Sequence, residues 1–137
     1  MNLPYAEDIN YWQSGKSSPD VWLEKIERMI EGFEGKVRTI AMGKMEERTA
    51  YLIEFTHSGD TYRIMFPVLP TKNGDKEQAA RRQAATLLYH DVKARLLRAE
   101  IFTVKSAFFE FLLLPDGRTV SQVAVPELLE LEPKLLR

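Results

Sequence analysis

From residue 18 onward the apolar positions recur at helical spacing, then alternate, then return to helical spacing. Trp22, Ile26, Met29, Ile30 and Phe33 stand three or four apart, which predicts a helix over 18–34. Ser18 suits the N-cap, Pro19 the first helical position, and Asp20 the positive end of the dipole. Gly32 and Gly35 mark the end. Glu24–Arg28 and Glu27–Glu31 fall on its outer, mostly acidic face.

Three strands are predicted next. Over 36–45 the alternation is loose, with Val37, Thr39 and Ala41 opposite Arg38, Ile40 and Met42. TAYLIEFT over 49–56 is rich in aromatic and β-branched residues, and His57-Ser58-Gly59-Asp60 reads as a hairpin turn. TYRIMFPV returns over 61–68, where Pro67 and Pro70 end the strand or place it at an edge. Asp75 suits a second N-cap, and strong helix formers then predict a long helix over 76–101. At 100° per residue its apolar side holds Ala80, Ala84, Leu87, Leu88, Val92, Ala99 and Phe102, and its outer side Gln78, Arg82, Thr86, Tyr89 and Lys93.

SAFFEFLLL over 106–114 reads equally as helix or strand. Pro115-Asp116-Gly117 is a turn, Thr119 and Gln122 form a capping box, and 126–136 reads as further helical turns with leucines at 128, 129, 131, 135 and 136. The expectation is one α+β domain over 18–137. Its order is α-β-β-β-α with a helical or mixed tail over 106–137, and helices cover one face of a three-stranded antiparallel meander. The arm over 1–17 is polar and turn-rich. It still carries Tyr5, Ile9, Tyr11 and Trp12, so it is expected to pack on the domain or on a partner.

Composition narrows the function classes. The 137 residues contain no cysteine, which excludes disulfide scaffolds, zinc ribbons, iron–sulfur sites and thiol nucleophiles. The first residues lack the basic and apolar regions of a secretory signal, and no apolar run is long enough to span a bilayer. A soluble, cytoplasmic protein with no membrane partner is expected. The net charge of -1 hides segregation: 1–35 carries three basic and seven acidic side chains, whereas 72–105 carries eight and four.

The basic quarter coincides with the long helix. Lys72, Lys76, Arg82, Tyr89 and Lys93 are therefore candidate nucleic-acid contacts, as cations and a ring able to meet phosphates and bases. Asp91 and Arg95 project onto the apolar side and are expected to form a buried (i, i+4) ion pair. With His90 they are also the one candidate enzyme constellation, although no nucleophile or metal partner accompanies them. No catalytic residue, metal site or cofactor is assigned. Glu34-Gly35-Lys36 and Glu132-Pro133-Lys134 match the Glu-x-Lys of restriction-endonuclease-like sites, but neither lies on a strand beside an aspartate. Walker A, Rossmann, GxSxG and HExxH motifs are absent.

The element order, with GDKEQAARRQAA over 74–85, resembles double-stranded RNA-binding domains over roughly residues 18–95. That resemblance implies phosphate contacts from Lys76, Arg81 and Arg82. The consecutive lysines of that family are missing, Asp75 and Glu77 intrude, and the first helix is acidic. The leading expectation is a small non-enzymatic domain that contacts nucleic acid through the basic face of helix 76–101. The alternative is a protein–protein assembly module, a homodimer or a scaffold, with Tyr5, Tyr11, Trp12, Phe108 and Phe109 at the interface.

Overall fold

The computed structural model describes residues 2–74 and 76–123. Helix α1 spans Pro19–Gly32, with Ser18 as its N-cap residue and Pro19 in its first turn. Leu23, Ile26 and Ile30 are buried, while Trp22, Met29 and Phe33 are half-buried along one side. Gly35 follows closely under the helix end. A Cβ there would meet Ile30 Cγ2 at 2.7 Å and the Ile30 carbonyl oxygen at 3.0 Å, so this close approach requires glycine.

Strands β1 (Lys36–Met45), β2 (Arg48–His57) and β3 (Asp60–Pro67) form an antiparallel sheet in the order β1-β2-β3. Both connections are two-residue turns. Glu46 and Glu47 have φ of 48° and 69°, and Ser58 and Gly59 have φ of 50° and 85°, the backbone hand that matches strand twist. The register corrects the expected alternation of β1. It shifts between Val37 and Thr39, so Arg38 is an extra residue, and Val37 and Ile40 share a face instead of opposing each other. That inner face carries Ile40, Ile53 and Ile64 across the three strands, with the stacked pair Phe55 and Tyr62 beside them. The opposite face is half-exposed and carries the cross-strand Arg63–Glu54 pair at 3.9 Å.

Helix α2 spans Glu77–Ile101. The N-cap position is held by Lys76, and Asp75 lies outside the described residues. The buried set is Ala79, Ala80, Gln83, Ala84, Ala85, Thr86, Leu88, Val92 and Leu96. In its first half the helix is therefore enclosed nearly all round, because the sheet lies on one side and the N-terminal arm on another. This corrects the expected faces. Thr86 is buried and donates to the Arg82 carbonyl at 2.8 Å, Leu96 joins the core, and Phe102 is exposed beyond the helix end.

Segment 106–114 is neither one helix nor one strand, but the end of a short helix, a 3₁₀ turn and two isolated bridges. Thr103 caps a short helix α3 (Val104–Ala107), accepting from the Ser106 amide at 2.9 Å. A 3₁₀ turn follows at Phe109–Phe111, and Leu112 bridges to Tyr62 on the open edge of β3. The Leu113 amide donates to the Thr61 carbonyl at 2.8 Å, so this segment covers an edge that would otherwise expose unpaired backbone. The capping box forms in one direction. Gln122 Oε1 accepts from the Thr119 amide at 2.7 Å, while the Thr119 hydroxyl meets that of Ser121 at 3.1 Å. One helical turn begins at 120–123, and the leucine-rich stretch over 126–136 lies outside the described residues.

Phe108 is a correction to the expected interface. It is completely buried, edge-on to Phe55 at 5.3 Å and to Tyr62 at 6.2 Å, and so is part of the core. No described helix is long and apolar enough to cross a membrane.

Tyr51 sits under α2 and donates to the Arg81 carbonyl at 3.3 Å. Burial pushes its phenol up to about 12, and burial raises Tyr62 as well. A phenol with a raised folded-state pKa favours the folded state fully below its unfolded pKa of about 10, and loses that contribution as pH rises toward the folded value. Chemical denaturation at stepped alkaline pH is expected to show stability falling from about pH 10 upward. Tyr51→Phe is expected to flatten that fall. A wild-type profile unchanged by the substitution would contradict this assignment.

Candidate functional site

The N-terminal arm is built into the domain. A 3₁₀ turn at Ala6–Asp8 buries Ala6, whose amide donates to the Pro70 carbonyl at 2.8 Å. Gln83, 1% exposed, points its Nε2 at the carbonyls of Ala6 (2.8 Å), Ile9 (3.1 Å) and Asn10 (3.1 Å). An amide nitrogen has only two hydrogens, so these three bonds are shared, and they gather a turn of arm backbone onto one buried group. Glu7 accepts from the Lys72 amide at 3.0 and 3.2 Å, and Asp8 pairs with Lys72 Nζ at 3.1 Å. The hydrogen bond to Asp8 holds the Lys72 ammonium above its ordinary pKa.

The anchored arm places Tyr11 against α2. Its ring stacks on His90 at 4.8 Å, with 10° between the planes. Trp22 of α1 lies 6.3 Å from the His90 ring and 5.1 Å from that of Tyr89. Lys25 Nζ sits 4.6 Å from the Trp22 ring, and Lys93 Nζ lies 5.9 Å from that of Tyr89. Arg82 lines a cavity of about 350 Å³ together with Tyr11, Trp22 and His90. A second, more apolar hollow of about 660 Å³ continues past His90 and Lys93 toward Met29, Phe33 and Leu97. The seam between α1 and α2 is thus a groove. Its upper half combines four rings with Arg82, Lys25 and Lys93, none of which has a carboxylate partner among the described residues.

Of the residues singled out from sequence, Arg82, Tyr89 and Lys93 do converge here. Lys76 stays exposed at the N-cap of α2, and Lys72 is committed to the arm. The trio implied by the RNA-binding resemblance diverges. Arg81 pairs with Glu77 at 3.2 Å and lines a hollow beside Leu23 and Ile40, away from the Arg82 cavity. Lys25, Trp22 and His90 enter from outside the predicted set, and Tyr11 moves into it from the expected interface. The helical spacing places Trp22 on the apolar side of α1, but the sequence does not show which part of α2 that side meets.

Asp91 and Arg95 pair at 3.1 Å as expected, but their side chains are 38% and 22% exposed, so the pair is half-buried. Arg95 also donates to the Ala107 carbonyl at 2.9 Å, pairs with Glu110 at 2.6 Å and lies 4.6 Å from the Phe111 ring. It is a tie between α2 and the 104–111 segment. His90, one helical step away, faces the aromatic seam instead, so the enzyme constellation is not assembled. Among the described residues no cluster of three or more acidic or histidine side chains could hold a metal. Trp12 is half-buried at the rim of the core, whereas Tyr5 and Phe109 are exposed.

Compared with models of protein families, with curated proteins and with solved structures, the chain matches none.

Gln83→Met keeps volume and helix propensity and removes the donor. It is expected to cost about 1–3 kcal/mol in urea unfolding, the range for leaving buried polar groups unpaired. Limited proteolysis should then cut more quickly within residues 2–17. Unchanged stability and an equally protected arm would contradict the clamp.

Proposed function

We propose that the chain is a non-enzymatic domain that binds single-stranded nucleic acid in the seam between α1 and α2. The observation that carries this reading is the groove itself. Tyr11, Trp22 and His90 line its cavity with Arg82, and Tyr89 lies beside Trp22 with Lys25 and Lys93 each 5.9 Å from its ring. Cations without carboxylate partners attract phosphates and release their counterions. Rings recruit bases, and only an unpaired strand presents free base faces to them. The four acidic side chains of α1, Asp20, Glu24, Glu27 and Glu31, do not line the cavity, and Glu100 of α2 lines only the apolar hollow beyond Lys93.

A second reading, a protein–protein assembly module, is favoured by one observation. Leu97, Ile101, Phe102 and Phe109 are large, apolar and exposed around the C-terminal end of α2. Such clustering marks interaction surfaces in soluble proteins. Phe102 and Phe109 line neither hollow of the groove, so the two readings can be separated by substitution there.

Fluorescence anisotropy with a labelled single-stranded oligonucleotide tests the leading reading. Three phosphates neutralised at about 0.7 each give an expected slope of about -2 for log affinity against log salt. Arg82→Glu with Lys93→Glu is expected to abolish the binding, while Phe102→Glu, which lines neither hollow, leaves it intact. No shift at low salt, or a shift indifferent to the double reversal, would reject the proposal. A wild-type dimer in light scattering that Phe102→Glu converts to monomer would support the assembly reading instead.

A further inference from the structure

The cavity at the arm end of the groove differs from the rest of the surface. It is walled on one side by residues 11–17 of the arm, on another by Trp22, and floored by α2 from Ala79 to His90. Its volume of about 350 Å³ falls at the small end of the range for ligand pockets. The lining sorts into three kinds of chemistry. Tyr11, Trp22 and His90 offer ring surface, Arg82 offers a guanidinium, and Gln13, Ser14 and Ser17 offer hydrogen-bonding groups. Among the described residues no Asp or Glu lines it, so none of them opposes an anion there.

The arm wall is held in an uncommon backbone conformation. Tyr11 and Gln13 have φ of 69° and 52°, the left-handed region that bulky residues avoid. Such a conformation is strained and persists where surrounding contacts over-determine it. Those contacts are present: Gln83 fixes the carbonyls of Ile9 and Asn10 immediately before Tyr11, and the Ser14 amide and hydroxyl both donate to the Tyr11 carbonyl, at 3.4 and 3.2 Å. Ala79, at the floor, contributes only a methyl group and leaves the space open. A wall held rigid in a strained form around an open, ring-lined, cationic space is pre-organised for a ligand.

From this we infer that the cavity is a site for one nucleotide unit. A planar base adds to the Tyr11–His90 stack beside Trp22, its edge meets the arm hydroxyls and amide, and its 5′-phosphate meets Arg82. A guanidinium is suited to this because it donates two parallel hydrogen bonds to phosphate oxygens. The unit has two sources, a free nucleoside monophosphate or one unstacked residue of a single strand. The inference rests on the single-strand reading of the groove and gives it a base-accepting subsite.

Quenching of Trp22 fluorescence reads occupancy directly, in a Trp12→Phe background that leaves one indole. The probes are the four nucleoside 5′-monophosphates, the corresponding nucleosides, inorganic phosphate and a single-stranded oligonucleotide. At least one monophosphate is expected to saturate the signal and to bind about tenfold more tightly than its nucleoside. Arg82→Gln should erase that difference, and Tyr11→Ala should weaken nucleoside and nucleotide alike, with far-ultraviolet circular dichroism confirming the fold of each variant. Oligonucleotide binding without saturation by any monophosphate, and unaffected by Tyr11→Ala, would overturn the subsite and leave the groove reading standing. Monophosphate binding without oligonucleotide binding would establish the subsite and reject the groove reading. Saturation by a monophosphate that Arg82→Gln does not change would overturn the phosphate assignment and, with it, the inference.

Discussion

One buried amide organises the surface on which the proposed function rests. Gln83 lies in the enclosed half of α2 and directs its nitrogen at three carbonyls of the N-terminal arm. Without that donor the arm would have to bury those carbonyls unsatisfied or release them to water. With it, the arm lies across α2, and the residue after the last anchored carbonyl is Tyr11. Everything at the upper end of the groove follows: the Tyr11–His90 stack, the wall of the cavity, and the orientation of Arg82 into a bounded space.

The rest of the fold supplies a frame for this arrangement. The meander offers one apolar face, and α1 and α2 lie on it side by side, with Ile26, Ile30, Leu88 and Val92 in the shared core. Two adjacent helices on a small sheet leave a seam on their outer side. Here that seam is lined by Trp22, Met29 and Phe33 from α1 and by Arg82, His90 and Lys93 from α2. The 104–113 segment occupies the other flank, tied down by Arg95 and by its pairing with β3. Among the described residues one edge strand is therefore covered and one helix seam is open.

The elements were legible because local chemistry and pattern agreed. Ser18-Pro19 starts α1, the Ser58-Gly59 turn joins β2 and β3, and the Ala- and Leu-rich run forms α2. Legibility failed where a residue's surroundings come from distant parts of the chain. The faces of α2 differ from those its periodicity predicts because the arm supplies a second buried side around Thr86 and Gln83. The bulge at Arg38 leaves no trace in alternation. Phe108 reads as surplus apolar area in the sequence, whereas in the fold Phe55 and Tyr62 enclose it. For the site, the basic face of α2 was visible in the charge distribution, but its pairing with Trp22, Lys25 and Tyr11 depends on how two helices and the arm meet. A buried Gln among alanines in ARRQAA was the available signal for that meeting.

The central claim is that the arm, held by Gln83, completes the binding surface. The most direct measurement is the affinity of Gln83→Met for a single-stranded oligonucleotide at low salt, beside a circular dichroism spectrum showing the helices and sheet retained. Gln83 is buried and lies outside the groove lining. The account predicts at least a tenfold loss of affinity, although every groove side chain is unchanged. Wild-type affinity in a variant whose arm is released would contradict it.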